Sequence, residues 1–462
     1  MKRFHVPGAR LKASLLAASM LSVLSVVSAS EALAEKATLK LAYSADYMFS
    51  TPDLATKWFE GVKSGFEASH PDVTVQLVPI AGGFDDFITK LSLMYNNAGT
   101  APDVSQIPAQ EAGQFAESDV LAPLDDRLKG ASWWANFPDP IKKEGSVRGK
   151  VYAVSQGVNT SALLYDHGVF KKAGLPDDWQ PKNWADILVA ARAIKKSSPD
   201  VWPLWLLTGT AGGSESVVLG GANMVATSSD PGFYDESTGK WIVDSKGIRE
   251  ALNFYRQAAL EGLLAPSSQI LNADAPGNVS PLLNKHQLGI AIAGNYVPLN
   301  FNKTICTPCW DDVGKDIGFA PIPTSQGQAP GIGSAFGGWD LSMSSKSAHP
   351  DLAWQLIDYA QQKKDMILVD NWGGLNPPMP SLNTDPTFVA FSPDFNEKFA
   401  KLVPISSAAP ANADYKVWAF AFLQATEALV LKPEATSVDD AVKMMTTYVS
   451  GQLEAGKIEV RK

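Results

Sequence analysis

Beyond residue 35, short β-branched runs alternate with longer stretches whose apolar residues recur every three to four positions. This alternation predicts an α/β fold. Residues 38–43 read as a strand and 56–69 as a helix, which His70-Pro71-Asp72 terminates. A strand over 73–79 and a helix over 84–96 follow, and Pro102-Asp103-Val104 opens a third short strand. Residues 151–165 read as two strand segments interrupted at Gln156-Gly157. Helices are predicted over 184–197, 248–261, 281–286 and, starting near Pro350, 349–361. Strands are predicted over 289–293, 317–319 and 338–342. The C-terminal third is mostly helical, notably 415–431 and 438–453, and the chain shows no internal repeat.

The first 34 residues follow a different rule. Lys2, Arg3, Arg10 and Lys12 precede an uncharged apolar run over 15–29, and Ala32-Leu33-Ala34 then offers the small-x-small pattern of a cleavage site. This is the pattern of a secretory signal, with the mature chain expected to begin near Glu35. The run falls short of the ~20 residues that a membrane span needs. The signal carries four of the 39 basic and one of the 48 acidic residues, so its removal takes the net charge from −9 to about −12. An acidic chain argues against nucleic acid as a partner, because phosphates call for clustered Lys and Arg. The roughly 430 residues that remain exceed what one hydrophobic core normally serves, so two lobes are expected. Thirteen Trp are more than two cores require, which leaves some free to face a ligand.

Enzyme signatures are missing. There is no G-x-S-x-G elbow and no H-E-x-x-H site, and His70, His167, His286 and His349 stand apart from one another. The glycine-rich segment 331–338 has Phe336 where a dinucleotide fingerprint needs its third glycine, and it precedes a strand; it reads as a flexible approach to that strand. Cys306 and Cys309, the chain's two cysteines, are spaced C-x-x-C in a loop-like stretch. In an oxidising compartment this predicts a local structural disulfide, with a catalytic dithiol or a metal pair as alternatives. No cofactor and no metal are expected.

Several segments, taken in order, resemble one family. They are 39–46 (LKLAYSAD), 99–104 (GTAPDV), 149–155 (GKVYAVS), Leu163-Leu164-Tyr165-Asp166, Asn183-Trp184, 285–296 (KHQLGIAIAGNY), 317–323 (IGFAPIP) and 349–357 (HPDLAWQLI). Together they resemble the extracellular solute-binding proteins of family 1, the maltose-binding-protein-like components of ABC importers, over the whole mature chain. The resemblance implies a two-lobed periplasmic-binding-protein fold (type II) with three hinge crossovers, near 156–160, 335–339 and 372–376. One lobe would hold 35–157 and 338–371, and the other 158–337 and 372–462. It implies an exported monomer that captures a small carbohydrate by hinge closure and delivers it to membrane permease subunits, without catalysis. Glycerol phosphate or a polyamine is the alternative ligand, and an exported glycoside hydrolase the alternative class.

A sugar offers apolar C–H faces and many hydroxyls, so its site needs aromatics for stacking and amides or carboxylates for paired hydrogen bonds. By position in the family pattern, the ligand-binding candidates are Asp46, Gln110, Asn159, Tyr296, Trp339, Trp372 and Trp418. Tyr296 and Trp418 are expected to form an aromatic clamp. Asp46 also reads as a turn or capping residue, Gln110 as a solvated loop residue, and Trp339 and Trp372 as packing beneath the hinge. Trp202, Trp205 and Trp354 are expected in the core.

Overall fold

The computed structural model describes residues 36–49, 51–302 and 309–461; the expected signal and Cys306 lie outside the described residues. Strand β1 (Ala37–Ser44) pairs in parallel with β2 (Val73–Ile80), from Ala37 opposite Val73 to Ser44 opposite Ile80. Parallel neighbours need a crossover, and α1 (Pro52–Ser69) supplies it. The Thr51 side chain caps α1 by accepting from the Leu54 N–H, and Pro52 occupies a first-turn position where no N–H is required. Leu54, Trp58, Phe59, Val62 and Phe66 then form the buried stripe that packs on the sheet. Helix α2 (Phe84–Tyr95) leads into β3 (Val104–Pro108), which pairs with β1 on its other side.

Two long strands join this half of the molecule to the next. Ala153–Asp166 and Ile332–Met343 run antiparallel, from Ser342 opposite Ala153 to Phe336 opposite Thr160, with a one-residue shift at Gln156 between Trp339 and Asp340. At one end Ile332–Met343 pairs with β3, Trp339 lying opposite Pro108. At the other end Ala153–Asp166 pairs with Leu288–Gly294, which in turn runs parallel to Trp202–Trp205. The sheet order is therefore β2, β1, β3, Ile332–Met343, Ala153–Asp166, Leu288–Gly294, Trp202–Trp205. A third passage of the chain meets the other two at Val158, which exchanges backbone hydrogen bonds with Asn376 at 3.0 and 2.7 Å.

Each half has its own core. One gathers Leu39, Phe59, Phe66, Phe87, Trp339 and Leu356; the largest cluster of the other gathers Phe170, Trp184, Ile248, Ile290, Trp418 and Leu423. The molecule is thus a two-lobed α/β protein.

Four readings of the sequence change. Residues 153–166 form one strand and not two, with only a one-residue shift in pairing at Gln156, and the glycine-rich stretch is no flexible approach, since 332–338 lies inside the other long strand. The glycines are there because backbone and neighbours approach too closely for a side chain. A Cβ on Gly338 would stand 2.5 Å from the Gly157 carbonyl oxygen, and one on Gly337 would stand 2.9 Å from Val218 Cγ1. The helix expected over 281–286 runs instead over Ala275–Asn284 with Pro281 inside it. Trp354 is only half-buried, lying over Trp133 with ring centroids 6.3 Å apart.

Local signals set Trp184–Ser197 at the bounds the sequence predicts. Its cap is Asn183, whose side-chain oxygen accepts from the Asp186 N–H at 3.1 Å. Asn183→Ala is expected to cost about 1 kcal/mol of stability, read as a lower urea midpoint at unchanged slope. A midpoint equal to that of the parent would show the cap to be idle.

Candidate functional site

In α/β sheets, ligands bind beyond the carboxyl ends of parallel strands. Here β1 and β3 end at Ser44 and Pro108 in one lobe, and Trp202–Trp205 and Leu288–Gly294 end in the other. The segments that follow these ends meet across the seam between the lobes.

From the first lobe, a single turn after β3 (Ala109–Glu111) brings two side chains to the seam. Gln110 is 7% exposed, and its side chain makes no hydrogen bond; its Oε1 lies 3.8 Å from where a Cβ on Gly337 would stand. The side chain is largely covered, yet its amide atoms are not enclosed and stay open to a ligand in the seam. Glu111 is 1% exposed, 3.0 Å from Lys416 Nζ, and accepts from Ser214 Oγ at 3.3 Å, both partners belonging to the other lobe. Burial raises the Glu111 pKa, and Lys416 acts against that shift. Asp46 sits at the rim. It is exposed and accepts from the Gly82 N–H at 2.9 Å, tying the loop after β1 to the loop after β2.

At the three-strand junction, Asn159 Nδ2 donates to the Gly374 carbonyl at 3.0 Å and to Asn295 Oδ1 at 3.3 Å. Gly374 ends the helix Lys363–Gly373 in the left-handed region, at φ 63°, which suits a residue without Cβ. A Cβ there would also stand 2.7 Å from Tyr296 Cα, so the chain passes directly against Tyr296. Tyr296 follows strand Leu288–Gly294 and is half-buried; its hydroxyl makes no hydrogen bond. Burial raises its pKa, with the nearby Glu215 adding to the shift. Glu215 itself makes no hydrogen bond or ion pair, and burial pushes its carboxyl up to about 8.

Of the residues predicted from sequence, Gln110, Asn159 and Tyr296 therefore converge on the seam, with Asp46 at its edge. Trp339 lies beneath it, 6% exposed and packed against Phe87 and Tyr47 at centroid distances of 5.8 and 6.4 Å. Trp372 is half-buried in the last turn of Lys363–Gly373, beside the third passage.

Trp418 is elsewhere. It is fully buried in the core of the second lobe, stacked on Phe233 at 4.6 Å and on Phe422 at 5.3 Å, and its indole N–H donates to the Ile242 carbonyl at 2.7 Å. The expected Tyr296–Trp418 clamp is therefore not formed. The reason is helical phase: Trp418 and Phe422, four residues apart, share the inward stripe of Tyr415–Leu431, whereas Lys416 lies about 200° away and turns to the seam.

Sequence reasoning missed Glu111, Ser214, Glu215, Asn295 and Lys416. Glu111 and Asn295 adjoin Gln110 and Tyr296, so widening each candidate by one residue would have found them. No local pattern marks Lys416 or Glu215. Cys309 is disulfide-bonded, and Cys306 lies outside the described residues. A separate cavity of about 870 Å³ also lies between the lobes, lined among others by Lys143, Arg148, Phe233, Asn412 and Lys457. Its basic groups are already paired, Lys143 with Glu236 at 3.1 Å, Lys457 with Asp414 at 2.7 Å and Arg148 with Glu117 at 3.4 Å.

Comparison with known proteins adds an independent line. Residues 50–367 match the family model of the bacterial extracellular solute-binding proteins. A binding protein of Brucella abortus is 25% identical over 359 residues, which cover 76% of this chain and 77% of that protein. The sn-glycerol-3-phosphate-binding periplasmic protein of Shigella flexneri is 26% identical over 160 residues, or 32% of this chain and 36% of that protein. In fold, the chain is similar to an ABC transporter solute-binding protein of Thermotoga lettingae bound with α-D-tagatose. Their TM-score is 0.72 at 20% identity, covering 90% of this chain and 99% of that one. Maltose-bound MalE3 of T. maritima gives 0.72 at 17% identity, covering 90% and 100%.

Proposed function

Because this chain belongs to the bacterial extracellular solute-binding protein family, we propose that it captures a small carbohydrate in the seam between its lobes and delivers it to the permease subunits of an ABC importer. It acts as an exported monomer, released from its signal near Ala34. The lobes comprise 35–157 with 338–371, and 158–337 with 372–462, and they move about the three passages where Val158 meets Asn376. It binds its ligand without turning it over.

One observation carries the choice of ligand class. Gln110, nine-tenths buried and without a hydrogen-bond partner, faces a hinge-strand glycine across from the aromatic Tyr296 and the amides Asn159 and Asn295. Flat aromatic surface together with amides, one of them without a partner in the protein, is the complement of a polyhydroxylated ring. The tagatose and maltose carried by proteins of similar fold support the same class.

A thermal-shift screen of the mature protein against mono-, di- and trisaccharides tests this, with sn-glycerol 3-phosphate and spermidine alongside. A saccharide at ~100 times its dissociation constant is expected to add about 2.7 kcal/mol of stability. A response to glycerol phosphate or spermidine alone would overturn the carbohydrate reading. Hydrolysis of chromogenic glycosides that disappears on replacing one carboxylate would overturn binding without catalysis. Gln110→Ala is expected to weaken saccharide binding by about 1–3 kcal/mol while leaving the unliganded melting temperature nearly unchanged, since the amide has no partner in the protein to lose. Unchanged affinity in titration calorimetry would remove Gln110 from the site.

A further inference from the structure

The charge arrangement of the seam is lopsided. Glu111, Glu215 and Asp85 come to it from three segments: a Cβ on Gly213, two residues before Glu215, would stand 2.9 Å from Asp85 Oδ2 of the opposite lobe. The basic groups beside these carboxyls are engaged already. Lys416 is held by Glu111 at 3.0 Å, and Lys90, at the rim, donates to the Ala81 carbonyl at 2.6 Å. Glu215 and Asp85 have no counter-charge among the described residues. Gln110, unpartnered and nine-tenths buried, independently marks the same seam as a place where a ligand's polar groups are awaited.

The geometry points to a ligand that carries a protonated amine, an amino sugar, with Glu215 as the specificity-determining residue that meets the ammonium group. This rests on the carbohydrate reading above and narrows it. A phosphorylated sugar is disfavoured on the same grounds: phosphate calls for free Arg, free Lys or the start of a long helix. Here Lys416 is spent on Glu111, and the helical run that begins at Gly213 and continues through Ala226 carries the Glu215 carboxyl in its first turn, where it would oppose a phosphate. A neutral sugar satisfies Gln110 and Tyr296 but leaves Glu215 without an ionic partner. An ammonium placed against Glu215 would also draw its raised pKa down, so binding should release a proton.

Titration calorimetry at pH 7 on the mature protein provides the test, using D-glucose, D-glucosamine and D-glucose 6-phosphate, with the matching galactose and mannose sets. On at least one scaffold the amine is expected to bind about tenfold or more tighter than its neutral parent, as a charge-assisted contact allows. The phosphate is expected to bind weakest, and the heats in two buffers of different ionisation enthalpy should reveal proton release. In Glu215→Gln the amine-to-neutral affinity ratio should fall to near one. Glu215→Asp should keep part of the preference, and the unliganded melting curves of both variants report whether each is folded. Equal affinities for amine and neutral sugar, or a ratio unchanged in Glu215→Gln, would overturn the amine selectivity and leave the carbohydrate reading standing. Silence across all nine compounds counts against both.

Discussion

Trp418→Ala is expected to lower the stability of the unliganded protein by ~3–5 kcal/mol, the usual cost of emptying a large aromatic site in a packed core. Three losses coincide at this position. The ring leaves a stack that holds Phe233 and Phe422 on either hand, with Trp241 at 6.4 Å beyond. The Ile242 carbonyl, in a buried strand, loses the indole donor at 2.7 Å. The cavity opens between helix Tyr415–Leu431 and strand Lys240–Asp244, where rigid neighbours cannot collapse into it. Urea unfolding checks the value through the midpoint. A variant as stable as the parent that has lost saccharide affinity would return Trp418 to the ligand. Tyr296, at the seam, makes the opposite comparison: its loss should fall mainly on affinity.

A comparably large effect is expected from pH. Glu144, Asp340 and Asp370 are all buried beside the crossover strands, and none of their carboxyl oxygens has a hydrogen-bond partner. Glu144 Oε1 lies 2.9 Å from where a Cβ on Gly338 would be, and Asp370 presses on Gly157. Burial pushes Asp340 up to about 8 and holds Asp370 well above the usual carboxylate range. Glu144 is raised likewise by burial, with the charge of Asp340 adding to it.

The sign follows from proton counts. Between about pH 4, where these groups titrate in the unfolded chain, and their raised native values, the native state holds protons that the unfolded state has lost. Stability therefore falls as pH rises through that window, from about 4 to about 8 for Asp340, and the loss is complete above it. Carboxylates held low by partners, such as Asp385 and Asp440, contribute above the unfolded value and lose that contribution only below about pH 4, outside this window. Unfolding free energies measured from pH 5 to 9 should decline. Asp340→Asn should flatten the decline and stabilise the protein by about 1–3 kcal/mol at pH 8, because a buried, unpaired carboxylate is no longer required. A variant with the parent's pH slope would show that Asp340 ionises without cost.

What the sequence determined by itself is whatever local chemistry decides. The helices Trp184–Ser197 and Tyr415–Leu431 have the bounds read from periodicity, because a cap, a proline or a run of helix formers acts within a few residues. The order of strand and helix, and with it the α/β class, is legible for the same reason, and so is the family, through short segments in a recognisable order. Tertiary structure alone decided the rest. The stretch 331–338 has the composition of a flexible loop, and only pairing with Ala153–Asp166, Ser406–Ala408 and Ile322–Pro323 makes 332–338 a strand. The sequence reading placed Trp418, near the start of Tyr415–Leu431, in the ligand site, but which face of that helix meets the seam depends on how it packs against Ile242 and Phe233. Trp418 therefore went to the core and Lys416 to Glu111. That ion pair, like the meeting of Asp85 with the turn before Glu215, joins residues far apart in the chain, brought together only when the two lobes face each other. Hydrophobic burial is non-directional and local propensity is short-ranged, so neither writes such a contact into neighbouring residues.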